Sequence, residues 1–125
     1  MQQDWLMRQI EMMAAAVARL LLGKGGKEWD LEEEFGQERS AMLKEKLAGF
    51  LKEGQMGKAE DLLFFELDGA DKSILAVAID FYRQANALSD EALDAQGFTR
   101  LELWEGLGEA AERYGLSIPG FWDEP

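Results

Sequence analysis

Histidine and cysteine are both missing from this chain of 125 residues. Their absence removes imidazole general bases, thiol nucleophiles, the usual catalytic triads and every zinc or iron site built from nitrogen or sulfur ligands. Without cysteine there is no disulfide framework, which fits a reducing compartment. Chemistry is left to carboxylates, lysines, serines and tyrosines. The opening Met1-Gln2-Gln3-Asp4 has neither the basic n-region nor the cleavage site of a signal peptide. No apolar run approaches the roughly 20 residues of a membrane span. The expectation is a cytoplasmic protein with no membrane attachment, no metal and no cofactor.

An excess of positive charge is lacking as well. Met1 to Met56 holds eight Lys+Arg against ten Asp+Glu, and Gly57 onward five against fifteen, so the second part carries −10 of a net −12. Such a surface repels phosphates, which argues against nucleic acid, whereas a basic partner suits it. Familiar motifs fail in their details. Gly23-Lys24-Gly25-Gly26-Lys27 has Leu21 where a phosphate loop needs its first glycine and Glu28 where it needs a hydroxyl, so it reads as a connector. Asp68-Gly69-Ala70-Asp71 lacks the alternating acidic ligands and distant glutamate of a calcium loop.

What is present is helical periodicity. In Asp71 to Ala87, the residues Ile74, Leu75, Ala78, Ile79, Tyr82 and Ala85 recur at helical spacing, and Val77 and Phe81 widen the apolar arc. Only Ser73, Asp80 and Gln84 form a polar strip. A helix wet on so little of its surface must be wrapped by others. The expected fold is all-α: a single domain over 1–125, a compact bundle of five to six helices packed as antiparallel hairpins around the central helix 71–87.

The flanking helices are read from caps and stripes. Asp4 is a candidate N-cap for a helix over about 5–22, where Leu6, Ile10, Met13, Val17 and Leu20 step by four, three, four and three. That seam meets either the chain's own helices or a second copy. A helix over about 31–53 is capped by Asp30, with Met42, Leu43, Leu47, Phe50 and Leu51 inward. Residues 58–67 make a short helix offering Ala59, Leu62, Leu63 and either Phe64 or Phe65 to the core. Another short turn over 90–95 closes at Gly97. Thr99 and Glu102 form a capping box for a helix over 100–114, in which Gly106 and Gly108 point to a neighbouring backbone at close range. The apolar tail 116–125 carries Phe121 and Trp122, which fold back or dock elsewhere.

Several stretches carry a resemblance: Asp4-Trp5-Leu6-Met7-Arg8-Gln9-Ile10-Glu11, then Gly57-Lys58-Ala59-Glu60-Asp61-Leu62-Leu63-Phe64, Asp80-Phe81-Tyr82, Leu88 to Leu93 and Phe98-Thr99-Arg100. Together they make the chain similar to a group of small uncharacterised bacterial proteins, mainly of Gram-positive species. The resemblance implies an all-helical cytoplasmic protein of unknown function and supplies no catalytic residues. A weaker likeness to tetratricopeptide helix pairs runs through Gly54 to Leu63, without any 34-residue repeat.

Candidate functional residues fall in two sets. Trp5, Leu6, Arg8, Glu11 and Val17 on the first helix, with Phe121 and Trp122 in the tail, would serve a non-catalytic protein–protein interaction module, with a second copy as candidate partner to form a homodimer. Arg8 and Glu11 read equally as a surface ion pair. The alternative is a small-ligand-binding protein or weak enzyme with a cavity beside the central helix, where Asp80, Tyr82 and Arg83 supply polar groups or simply a solvated stripe. Paired carboxylates such as Glu60 with Asp61 and Glu105 with Glu109 suggest glycosidase chemistry only if a cleft separates them, and their spacing builds none.

Overall fold

The computed structural model describes residues 2–22, 38–67 and 71–116. Among these there are six α-helices and no strand: α1 Gln2–Leu22, α2 Glu38–Lys52, α3 Met56–Glu66, α4 Lys72–Asn86, α5 Asp90–Ala95 and α6 Arg100–Glu112. The architecture is the all-α bundle expected. Residues 23–37, with the Asp30 cap and the first part of the helix expected over 31–53, residues 68–70, and residues 117–125 with Phe121 and Trp122 lie outside the described residues.

The helix over 71–87 is central in fact as well as in pattern. Eleven of the fifteen residues of α4 are buried. It packs against α1, α2 and α6, while α1 also packs on α6 and α2 on α3. Asp71 caps it, accepting from the Ser73 amide at 3.0 Å and from Ser73 Oγ at 2.6 Å. The polar strip is therefore wet only toward its C-terminal end, because Ser73 is buried with its hydroxyl turned to its own cap.

Other helix limits follow local chemistry. Ser89 accepts from the Ala92 amide and starts α5. At its end Gly97, with φ +76°, lets the Phe98 amide reach Leu93 O at 3.0 Å, a turn that needs a left-handed residue. The capping box of Thr99 and Glu102 is present at α6. Asp4, by contrast, lies in the first turn of α1 rather than capping it. Gln55 offers no side-chain cap to α3; the Met56 amide donates instead to Gln96 Oε1 at 2.9 Å, at the end of α5.

Two inward faces differ from expectation. Met42 is 52% exposed, while Ser40 is buried beside Leu43 and Leu47. At roughly 100° per residue Met42 stands about 120° from the centre of that arc. Phe65 is 83% exposed and Phe64 is the aromatic packed on the core. On α1 the buried arc leans from Leu20 toward Ala14, Ala18 and Leu21.

One cation is sealed inside. Arg100 is 2% exposed. Its Nη1 donates to Asn86 O at 2.8 Å and Asn86 Oδ1 at 3.1 Å, and its Nη2 to Leu88 O at 2.6 Å and Asp90 Oδ1 at 3.0 Å. Nε alone finds no acceptor among the described residues. Asn86 Nδ2 in turn donates to Met7 O and to Glu11 Oε2, each at 3.0 Å. This chain of bonds ties α1, α4, α5 and α6 together at one end of the bundle.

Urea unfolding checks both features. Ile79→Ala, at a fully buried site, should lose about 2–5 kcal/mol, whereas Met42→Ala should stay within about 0.5 kcal/mol. Arg100→Met should lose about 3 kcal/mol or more by stranding buried carbonyls. Arg100→Lys should lose less, since it keeps the charge but cannot span all four acceptors.

Candidate functional site

Two of the five first-helix residues fall inside the bundle. Leu6 and Val17 are core residues of the same chain, so the a/d seam is internal from Leu6 through Val17, while its last member Leu20 is half exposed; Leu6 and Val17 are not available to a partner. Trp5 is half-buried and Arg8 exposed. Glu11 does not pair with Arg8; its Oε1 accepts from Arg83 Nε at 3.0 Å and its Oε2 from Asn86. Both partners of the Arg83–Glu11 pair are more than two-fifths exposed, which makes it worth under about 1 kcal/mol.

Asp80, Tyr82 and Arg83 do not converge either. Asp80 accepts from Gln84 Nε2 at 2.6 Å on its own helix, Arg83 turns to α1, and Tyr82 turns to α3. Successive residues on a helix point about 100° apart, so three nearly adjacent positions cannot line one cavity. The space beside Asp80, between α2 and α4, is about 10 Å³, barely room for one water.

A groove opens elsewhere, between α3 and α6. These helices are not among the closely packed pairs; each is held by other neighbours, which leaves a gap. Glu60, Asp61 and Phe64 face it from α3, and Glu102, Glu105, Gly106, Glu109 and Arg113 from α6 and its end, with Phe98 at the near rim. The volume is about 440 Å³ and open to solvent. The four carboxylates that looked like two unrelated helix pairs thus line one cleft. At the far rim Arg113 lies over the Phe64 ring, 4.9 Å from its centroid, and binds Glu109 Oε2 at 3.2 Å.

The floor is a contact among three helices. The buried phenol of Tyr82 on α4 donates to Glu60 Oε2 on α3. Gly106 on α6 makes room for this bond. A Cβ there would lie 2.7 Å from Glu60 Oε2 and closer still to the phenol oxygen. The near neighbour of Gly106 is thus a side-chain pair rather than a backbone, and a Cβ at Gly108 would meet nothing within 4 Å.

Burial raises the Glu60 carboxyl above the usual carboxylate range, and the charges of Glu102, Asp61 and Glu109 push the same way; the Tyr82 hydrogen bond opposes them. Burial also holds Tyr82 well above the usual phenol range, helped by the Glu60 charge, the bond to Glu60, and Glu109. A sealed phenol so hard to ionise is a donor, not a base. Among the described residues no group of carboxylates is arranged to hold a metal ion, and no helix is long and apolar enough to cross a membrane.

The model of a family of unknown function, DUF6483, matches residues 1–115. The chain belongs to DUF6483. No curated protein and no solved structure matches it. In this DUF6483 chain the groove is formed by residues from two helices far apart in the sequence. Sequence periodicity missed it because α3 and α6 are distant in the chain; the one signal available was Glu102, Gly106, Glu109 and Arg113 stepping by four, three and four on a single face.

Gly106→Ala should destabilise by about 1–3 kcal/mol in urea unfolding, and Tyr82→Phe should relieve part of that loss in the double variant. Gly108→Ala, with open space around it, should be neutral or stabilising by up to about 1 kcal/mol.

Proposed function

We propose that this chain is a non-catalytic interaction module of the bacterial cytoplasm whose docking face is the α3–α6 groove, and that its partner presents a cationic segment. The observation that carries this reading is the combination in one open cleft of five carboxylates, Glu60, Asp61, Glu102, Glu105 and Glu109, with the aromatic rings of Phe64 and Phe98. Lysine and arginine side chains suit such a cleft, since their stems lie along rings while their heads meet carboxylates. A second depression of about 350 Å³ shares Phe98 and adds Asp90, Glu91 and Asp94 to the same face. An extended basic segment longer than one side chain can follow that surface. Repulsion from so many carboxylates keeps phosphates away, in line with a protein rather than a nucleic-acid partner.

A second copy is the other reading of the partner. Met12 and Leu20, each about half exposed on α1, favour it over the buried Leu6 and Val17. The cavity beside Asp80 is too small to support a small-molecule site there.

Titration of the full chain with tetralysine, followed by amide shifts, tests the docking face. The expected result is a set of shifts confined to residues 60–64 and 90–113, weakened at higher salt and at least about tenfold weaker in the double variant Glu105→Lys, Glu109→Lys. Shifts spread over every acidic surface, or binding that survives the charge reversal, would overturn it. Light scattering at high concentration separates the second reading: a monomer removes it.

A further inference from the structure

We infer that Glu60 is a proton switch set into the floor of the α3–α6 groove, adding a negative charge when ionised and, when protonated, withdrawing it and turning a new O–H toward the groove. Its effect on binding rests on the docking reading above; the switch itself does not.

The geometry isolates Glu60 from the other carboxylates of the cleft. Glu102, Glu105 and Glu109 are exposed on α6, and Asp61 is exposed on α3. Glu60 is half-buried, fixed from below by the phenol of α4, and roofed by the bare backbone of Gly106. Among the described residues the groups facing it are Asp61 on its own helix, Tyr82 on α4, and Glu102, Glu105, Glu109 and Arg113 from α6. Only Arg113 is cationic, and it is engaged with Glu109 and Phe64. Four acids and a donor phenol surround this one carboxyl. Protonation there removes the least solvated charge and relieves its repulsion with the others.

The carboxylate accepts the phenol hydrogen in the ionised form. In the acid form one oxygen still accepts from Tyr82, while the new O–H must find an acceptor on the groove side. A Cβ at Gly106 would collide with both members of this pair, so α6 lies close enough to sense the change.

Stability follows the same proton. The folded chain binds it more tightly than the unfolded chain, whose carboxyl titrates near 4.5. As pH falls through the raised folded value the fold gains stability, and the gain is complete below the unfolded value; above both, ionised Glu60 weakens the fold. A cationic occupant has the opposite preference, since it needs the charge.

Carboxyl and amide NMR of the labelled full chain tests the switch. Glu60 Cδ should titrate above the usual carboxylate range, with the Gly106 amide moving at the same midpoint. Glu60→Gln should abolish that Gly106 transition and flatten the corresponding rise in urea stability. Tyr82→Phe, which keeps the carboxyl, should move the Glu60 midpoint further up by removing the bond that favours its charge. Tetralysine affinity should weaken by up to about tenfold per pH unit below the midpoint in the wild type, and this component should be absent in Glu60→Gln. A Glu60 midpoint at the ordinary glutamate value, or a Gly106 amide indifferent to it, overturns the switch. If tetralysine fails to bind at any pH while Glu60 and Gly106 titrate together, the docking reading falls and the switch stands. If it binds with unchanged affinity across the midpoint, the switch has no hold on the groove and the inference falls while docking survives.

Discussion

Burial of α4 is the constraint from which the remaining packing follows. A helix with eleven of fifteen residues out of water cannot rest on one neighbour, because a single helix covers only an arc of its surface. It needs three, and α1, α2 and α6 supply them. Short helices α3 and α5 then occupy what is left of the periphery. Apolar burial supplies the driving force, at roughly 25 cal/mol per Å², and directs nothing in detail. Direction comes from the few polar groups enclosed with it.

Arg100 is the chief of these. It is the first residue of α6, where a helix dipole disfavours positive charge. Its guanidinium reaches back to the C-terminal carbonyls around Asn86 and Leu88, the negative end of α4. One side chain thus exchanges an unfavourable helix end for a favourable one, and in doing so fixes the angle at which the chain re-enters the bundle. Asn86 extends the same bonding to α1 through Met7 and Glu11.

Features encoded by near neighbours were legible in the sequence. The capping box of Thr99 with Glu102 is completed within three residues and is in place, and the caps that the structure places at Asp71 and Ser89 are equally local. The central helix was legible because its apolar arc is too wide to mistake. What escaped depends on partners far along the chain. Nothing local says that Arg100 is buried, though a cation at a helix start with no acid beside it hints at a distant acceptor. Two glycines in α6 spoke of close approach, yet only the tertiary arrangement shows that Gly106 faces a tyrosine–glutamate pair and Gly108 faces open space. The carboxylates of the groove were visible as residues and not as a cleft, since the gap between α3 and α6 is set by what each packs against elsewhere. Met42 misled because hydrophobic character outweighed its phase on the helix.

The join between Met56 and Gln96 reaches beyond geometry. Because α3 has no capping side chain of its own, its leading amide proton is guarded by a residue forty positions later, at the end of a helix only six residues long. That proton exchanges with solvent when α5 lifts away, even while α3 keeps its coil. A single slowly exchanging amide would then measure how often the far edge of the bundle breathes.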